Sequence, residues 1–246
     1  MSKPLVTVVT ATTGSSYLTE CLQSVADQTH AAVQHLIFVD GEERREAAEE
    51  QLKHFKRPEL AVIALPYPTG IDRWNGHRMY AAGTYLAEGE YIMWLDDDNM
   101  IEPEHVAQQL ENVTKRPNWW SYSLRKIIDS NSNIVCMDDC ESLGKWASIL
   151  SPQDFFVDVN CYFLPRMLAV HMSPVWFRKF REPGQVEIDR AMHMWLRRNQ
   201  PDFDCTYDYT VRYRAGNTPN SVQKEFFLRG NAAMLEKLEG KLPWKK

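Results

Sequence analysis

The sequence has no excess of positive charge, no paired cysteine spacing and no long apolar run, and each absence excludes something. With 28 Lys and Arg against 33 Asp and Glu, the formal net charge is −5. The cations are dispersed, with a mild concentration toward the C-terminus, so no basic surface points to a nucleic-acid partner. Five cysteines, at positions 21, 136, 140, 161 and 205, form an odd set without C-x-x-C spacing or a zinc-like histidine pattern. They read as reduced thiols packed in the core of a cytoplasmic protein. The about 18 consecutive apolar residues of a membrane span occur nowhere, and the first apolar run is too short for a secretion signal. Only peripheral contact with a membrane stays open. There is no internal repeat and no low-complexity linker, and 246 residues at 44% hydrophobic and 25% charged suit one globular domain.

What is present begins with an alternation of two periodicities. The β-branched run "LVTVVT" (5 to 10) is followed by the turn signal "ATTGSS" and then by "YLTECLQSVADQ", where Leu18, Cys21, Leu22 and Val25 recur at helical spacing. "VQHLIFVD" (33 to 40), "LAVIAL" (60 to 65) and "EYIMWL" (90 to 95) are further strands, separated by the helices "EERREAAEEQLKHF" and "RMYAAGTYLAEG", the latter closed by Gly89. Strand and helix in strict alternation, with continuously apolar strands, predict a parallel α/β sheet buried on both faces. The second half is less regular. Two strands flank the turn "DSNSN", "LGKWASIL" reads as a short helix, and "FFVDVNCYFL" reads as a strand. A helix broken near Pro174, the amphipathic helix "QVEIDRAMHMWLRRN", the late strand "FDCTYDYTVRYR" and a terminal helix complete the chain. The organisation is one domain, with a nucleotide-binding half at 1–115 and an acceptor-binding half at 116–246.

The fourth strand ends in "YIMWLDDDNMI" (91 to 101), three adjacent carboxylates after a buried run. Such charges persist only opposite water, donors or a cation. They either punctuate the loop before the helix opening at Pro103 or hold a divalent ion, since Mg²⁺ and Mn²⁺ prefer hard oxygen ligands completed by substrate phosphates. Ligands of parallel sheets bind beyond the carboxyl ends of the strands. The tails "VVTATTG", "FVDG" and "WLDDDN" fall on that one rim, so acids and hydroxyls converge from distant positions.

Three stretches resemble the family 2 glycosyltransferases of GT-A fold: "VTVVTATTGSSYLTECLQSVADQTH", "HLIFVDG" and "AAGTYLAEGEYIMWLDDDN". The resemblance covers residues 4 to 115 closely and continues more loosely through "VDVNCYFLPR", "VEIDRAMHMWLRR" and "YTVRYRAGNTPNS". It departs from the family at Ala81, where an Asn is common, and at Ile188-Asp189, where the family usually has Glu-Asp. It implies a GT-A (Rossmann-like) sheet flanked by helices with a smaller mixed acceptor-side region. It also implies inverting transfer from a nucleotide-diphospho-sugar, UDP-linked, to a glycan or glycoconjugate hydroxyl.

On that resemblance Asp96 and Asp98 are the metal candidates for Mn²⁺ or Mg²⁺, with Asp97 or Asp96 on a ribose hydroxyl. Thr10, Ala11 and Thr12 would line the base and ribose, and Asp40 would accept the uracil imide proton. Arg73 or Arg78 suits pyrophosphate, because guanidinium matches phosphate oxygens bidentately. Asp189 is the candidate general base, with Glu187 the alternative. Asp158 and Asn160, alternating along a strand, would share a face toward the acceptor, with Trp120 and the neighbouring aromatics Trp119, Tyr122, Trp146 and Trp176 stacking on sugar rings. Arg212 and Arg214 would close over the donor phosphates. Two other readings stand beside this one: a sugar-1-phosphate nucleotidyltransferase, disfavoured because "TATTGSSYL" lacks a basic residue, and a non-catalytic carbohydrate-binding protein on the same fold.

Overall fold

The structure is a computed structural model; it describes residues 3–53, 55, 59–72, 74–115, 120–177, 187–217 and 221–245. In chain order the elements are β1 (Val6–Thr12), α1 (Leu18–Ala26), β2 (Val33–Val39), α2 (Arg45–Leu52), β3 (Leu60–Ala64), α3 (His77–Leu86), β4 (Tyr91–Trp94), β5 (Met100–Ile101) and α4 (His105–Thr114). The second half adds β6 (Trp120–Ile128), β7 (Ile134–Met137), β8 (Tyr162–Pro165), α5 (Arg166–Met172), α6 (Ile188–Asn199), β9 (Phe203–Arg214) and α7 (Lys224–Lys237). The strands join one sheet in the order β3-β2-β1-β4-β8-β6-β9-β5, with β7 paired to β6. Pairing is parallel from β3 to β4 and mixed beyond it, where β8 runs antiparallel to both β4 and β6. This is the expected α/β architecture, a parallel half continued by a smaller mixed region.

The chain runs outward from β1 to β2 and β3, then returns to the other side of β1 for β4. That reversal opens a crevice at the carboxyl ends of β1 and β4, the usual ligand position in open α/β sheets. Helix α3 covers this part of the sheet at close range. A Cβ placed on Gly83 would lie 2.5 Å from Cγ1 of Val9, so the glycine is what lets helix and strand approach. Gly83→Ala is expected to cost about 1–3 kcal/mol through overpacking, read as a lower urea midpoint, despite the better helix propensity of Ala. The core around this contact contains Val8, Val9, Ile92, Met93, Trp94, Leu124, Phe163 and Leu164, all fully buried.

Three elements differ from expectation. The segment "LGKWASIL" is not a helix, because its backbone groups are spent elsewhere. Gly144 donates to Phe156 O at 2.8 Å, Ser148 to Asp154 O at 2.7 Å and Ile149 to Cys140 O at 2.7 Å. The run "FFVDVNCYFL" is strand only from Tyr162 onward. Before that, Val159–Cys161 is a 3-10 turn capped by Asp158, whose carboxylate accepts from the Asn160 N–H at 3.0 Å. Helix α3 also ends at Leu86, before Gly89, as Ala87 turns extended. Among the described residues no helix is long and apolar enough to cross a membrane.

Candidate active site

At the crevice lies a cavity of about 630 Å³ lined by Ala11 and Thr12 at the end of β1 and Thr13 after it, Asp40 after β2, Asp96, Asp97 and Asp98 after β4, and Tyr80 of α3. Its far wall is Tyr213 and Arg214 at the end of β9, with Asn217 beyond. Register explains the convergence. β1 pairs in parallel with both β2 and β4, so the three chain tails leave the sheet at one level.

Each acid is held differently. Asp96 is bound on both oxygens: the Tyr80 hydroxyl donates to one, and Asn160 Nδ2 donates to the other at 2.9 Å. The Asp96 N–H in turn donates to Asn160 Oδ1 at 2.6 Å. Asp97 accepts from the Thr12 hydroxyl at 2.5 Å and from the backbone N–H groups of Thr13 and Ser15, which pins the loop after β1. Asp98 accepts from the Asn217 amide. Burial pushes Asp96 up to about 7 and Asp97 and Asp98 up to about 6, and in each case a neighbouring member of the triplet adds to the rise. Among the described residues the cations lining the cavity are Arg44, which reaches Asp40, and Arg214, whose guanidinium is committed to the Asp98 carbonyl at 2.9 Å, to Glu20 at 2.9 Å and to the Asp129 and Ser130 carbonyls. The triplet is therefore under-compensated toward the cavity, which favours an incoming cation.

Asp40 is buried and accepts from the N–H and hydroxyl of Thr69 at 2.6 and 2.9 Å, from the N–H of Gly70 at 3.0 Å and from Arg44 at 3.5 Å. It thus shapes the cavity wall formed by Gly70 and Ile71 while remaining part of the lining.

Asp189, half-buried in the first turn of α6, does not line this cavity but lies close enough to Asp158 and Asp96 for their charges to act on it. Among the described residues it has no hydrogen-bond or ion-pair partner. Burial, then the charges of Asp158 and Asp96, hold its carboxyl well above the usual range. An unpaired carboxylate whose proton affinity is raised in this way has the profile of an acid–base group. Glu187 lies two residues earlier, with a side chain 74% exposed and paired with Arg190 at 2.9 Å.

Several expected contacts fall elsewhere. Thr10 is fully buried and does not line the cavity, with Oγ1 3.0 Å from His35 Nε2; it lies within the sheet, short of the rim that Ala11 and Thr12 reach at the end of β1. Arg78 stacks on the Trp74 ring at 4.0 Å and does not line the cavity. Arg73 and Trp119 lie outside the described residues. Trp120 is no sugar platform: it is fully buried, stacked on Phe203 at 4.3 Å, and its Nε1 donates to Gln200 O at 2.9 Å. Tyr122 and Trp176 are likewise core, and Trp146 packs against Trp244. Asp158 is buried and bonded to Arg125, so it does not share an open face with Asn160. Arg212 is tied to Glu102 at 2.8 Å.

The arrangement that sequence inspection missed is the support under these acids. Arg125 of β6, fully buried, reaches Asp138 and Glu141 at 2.7 Å each and also Asp158. Asp158 then accepts from Asn160 Nδ2 at 2.7 Å, and Asn160 holds Asp96. One polar chain connects the mixed region to the acid triplet. Its only sequence signal is a charged residue inside the apolar strand "WSYSLRKII".

The model of glycosyl transferase family 2 matches residues 6–135. An uncharacterized glycosyltransferase of Methanocaldococcus jannaschii is 25% identical over 234 residues, which cover 91% of this chain and 75% of that protein. Among solved structures, the S. aureus TarS fragment 1-349 in complex with UDP-GlcNAc superposes with a TM-score of 0.64 at 15% identity, over 95% of this chain and 66% of that one. The same fragment in complex with UDP gives 0.62 at 15% identity, over 86% and 60%. The chain thus spans less than two thirds of those two structures, and the likeness to them is one of fold.

Proposed function

The chain belongs to glycosyl transferase family 2, and from that premise we propose that it moves a sugar from a UDP-linked donor to a glycan or glycoconjugate hydroxyl, with inversion at the anomeric carbon. The observation that carries this reading is a pair of acid sites: the triplet lining the cavity at the carboxyl ends of β1 and β4, and the unpartnered Asp189, close enough to Asp96 for the two charges to interact.

The residues fit a divalent ion of limited protein ligation. No group of three or more His, Cys, Asp or Glu side chains among the described residues forms a ready-made metal cage. Asp96 has both oxygens engaged, whereas Asp98 accepts one amide, which leaves it the better ligand. One or two carboxylates plus substrate phosphates are a common way of holding Mg²⁺ or Mn²⁺. When bound, such an ion neutralises the charge that develops on the departing diphosphate.

The chain's own groups do the rest. Tyr80 and Asn160 fix the orientation of Asp96, and Asp97 keeps the Thr12–Ser15 loop in place around the nucleotide. Asp189 takes the proton of the acceptor hydroxyl as that oxygen forms its bond to the anomeric carbon. On the opposite face the bond from carbon to phosphate oxygen breaks, and the diphosphate leaves with the electron pair. With attack and departure on opposite faces and no protein nucleophile between them, one displacement inverts the configuration.

Calorimetric titration of UDP with and without Mn²⁺ tests the donor side. Tight binding that requires Mn²⁺ and weakens on the order of a hundredfold in Asp98→Asn is the expected result. If UDP fails to bind under every condition, the donor reading is wrong.

A further inference from the structure

A second groove, of about 670 Å³, runs along α6 and is lined by Ser151, Gln153, Asp154 and Phe155 on one side and by Arg190, His193, Met194, Arg197 and Arg198 on the other. Resting on the assignment of Asp189 as the acceptor-side base, we infer that this groove holds an anionic segment of the acceptor, a glycan bearing carboxylate or phosphate groups. The helical residues occupy one stripe at i, i+3, i+4, i+7 and i+8, and that stripe starts one residue after Asp189. At the helical rise of 1.5 Å per residue, Arg198 lies about 13 Å along the axis from Asp189. An extended chain whose terminal hydroxyl is at Asp189 therefore has its following units over the groove.

The charge of the groove sets the ligand class. Arg190 is consumed internally, paired with Asp154 at 2.7 Å, Glu187 at 2.9 Å and Glu141 at 3.3 Å. Arg197 and Arg198 are exposed and have no carboxylate partner among the described residues. Two adjacent unmatched guanidiniums stand out on a chain of net charge −5, and they supply bidentate donors for carboxylate or phosphate. Arg197 is held in place by stacking on the Phe155 ring at 4.2 Å. Phe155 and the 60% exposed Met194 add apolar surface between the charges. A ligand that alternates apolar ring or polyol faces with anions matches that composition; an uncharged glycan leaves both arginines without partners.

The test measures dissociation constants for three oligomers of equal length: oligoglucuronate, oligo(glycerol phosphate) and neutral dextran. At least one anionic oligomer is expected to bind, to weaken with added salt, and to lose on the order of tenfold or more in Arg197→Glu/Arg198→Glu. Arg197→Lys/Arg198→Lys is expected to retain part of the affinity, because charge survives while the planar fork is lost. Binding of only one anionic oligomer identifies which anion the groove reads. The inference is overturned if dextran binds as well as the anions, if transfer RNA or anionic phospholipid vesicles bind more tightly than either oligomer, or if a folded Arg197→Glu/Arg198→Glu protein binds unchanged. UDP titration with Mn²⁺ on the same samples reports folding and separates the two readings. Anionic oligomers bound without UDP sink the donor reading alone, and UDP bound without oligomers sinks the groove alone.

Discussion

Asp189→Asn is expected to lower sugar transfer about 10²- to 10⁴-fold, the usual contribution of a positioned general base, while leaving UDP affinity nearly unchanged. Asn has the same shape but cannot take the acceptor proton, so the loss should fall on kcat. The half-buried carboxylate has no partner among the described residues, and removing its charge relieves repulsion with Asp158 and Asp96. The variant should therefore be at least as stable as the parent, which separates a chemical defect from a folding one. The sign of the pH dependence follows from the raised proton affinity. Because the base must be deprotonated, kcat/KM of the parent should rise with pH through an acid limb lying above the ordinary carboxylate range near pH 4. Glu187→Gln, at the exposed position paired with Arg190, should change transfer little. A reversed pattern, with Glu187→Gln the inactive variant, would assign the base to Glu187.

The largest effect on stability is expected at Arg125. Its guanidinium is buried among Asp138, Glu141 and Asp158 and lies over the Tyr213 ring at 4.2 Å. Arg125→Met keeps much of the side-chain volume but strands three buried carboxylates. Breaking one buried pair by removing a partner costs about 3–5 kcal/mol, and a deficit of at least that size should appear in urea unfolding at neutral pH. Burial raises the Asp138 carboxyl, but Arg125 and the surrounding donors more than offset this and leave it below its usual range. Without the guanidinium, burial of Asp138 is no longer offset and the Glu141 carboxyl, already raised by burial, loses a counter-charge, so the folded-state proton affinities of both rise above their unfolded values. The variant's native state then binds more protons than its unfolded state between about pH 4 and 7, so its stability falls as pH rises and the deficit narrows on acidification. A deficit that is flat across that window would mean that packing, not charge, makes Arg125 important. The defect should also reach the acid triplet, because Asp158, Asn160 and Asp96 are joined in one hydrogen-bonded chain.

Much of this arrangement was legible in the chain itself. Continuous apolar runs alternating with helical periodicity define the parallel half, because a strand covered on both faces has no reason to alternate. Turn residues and acids at the ends of those runs, Thr12, Asp40 and Asp96 to Asp98, mark one rim because parallel strands all finish on the same side. The second half was harder to read for a related reason. In "LGKWASIL" the backbone hydrogen bonds go to residues well outside a helical turn, Phe156, Asp154 and Cys140, and in "FFVDVNCYFL" Asp158 caps a 3-10 turn; an apolar pattern records neither. Apolar composition likewise could not distinguish Trp120 as a core residue from a sugar platform, since an aromatic ring reads the same in either place.

The sequence by itself determined the fold class, the family and the rim where the acids gather, since these follow from local periodicity and from a motif of contiguous residues. Only the tertiary structure decided what each polar side chain does. It kept Thr10 and Arg78 out of the crevice lining, set Asp158 under Arg125, gave Asn160 to Asp96 and left Asp189 without a partner among the described residues. The physical reason is that a carboxylate's role depends on the donors, charges and water within a few ångströms, and those neighbours come from distant positions: Asn160 is 64 residues from Asp96 and Asn217 is 119 from Asp98.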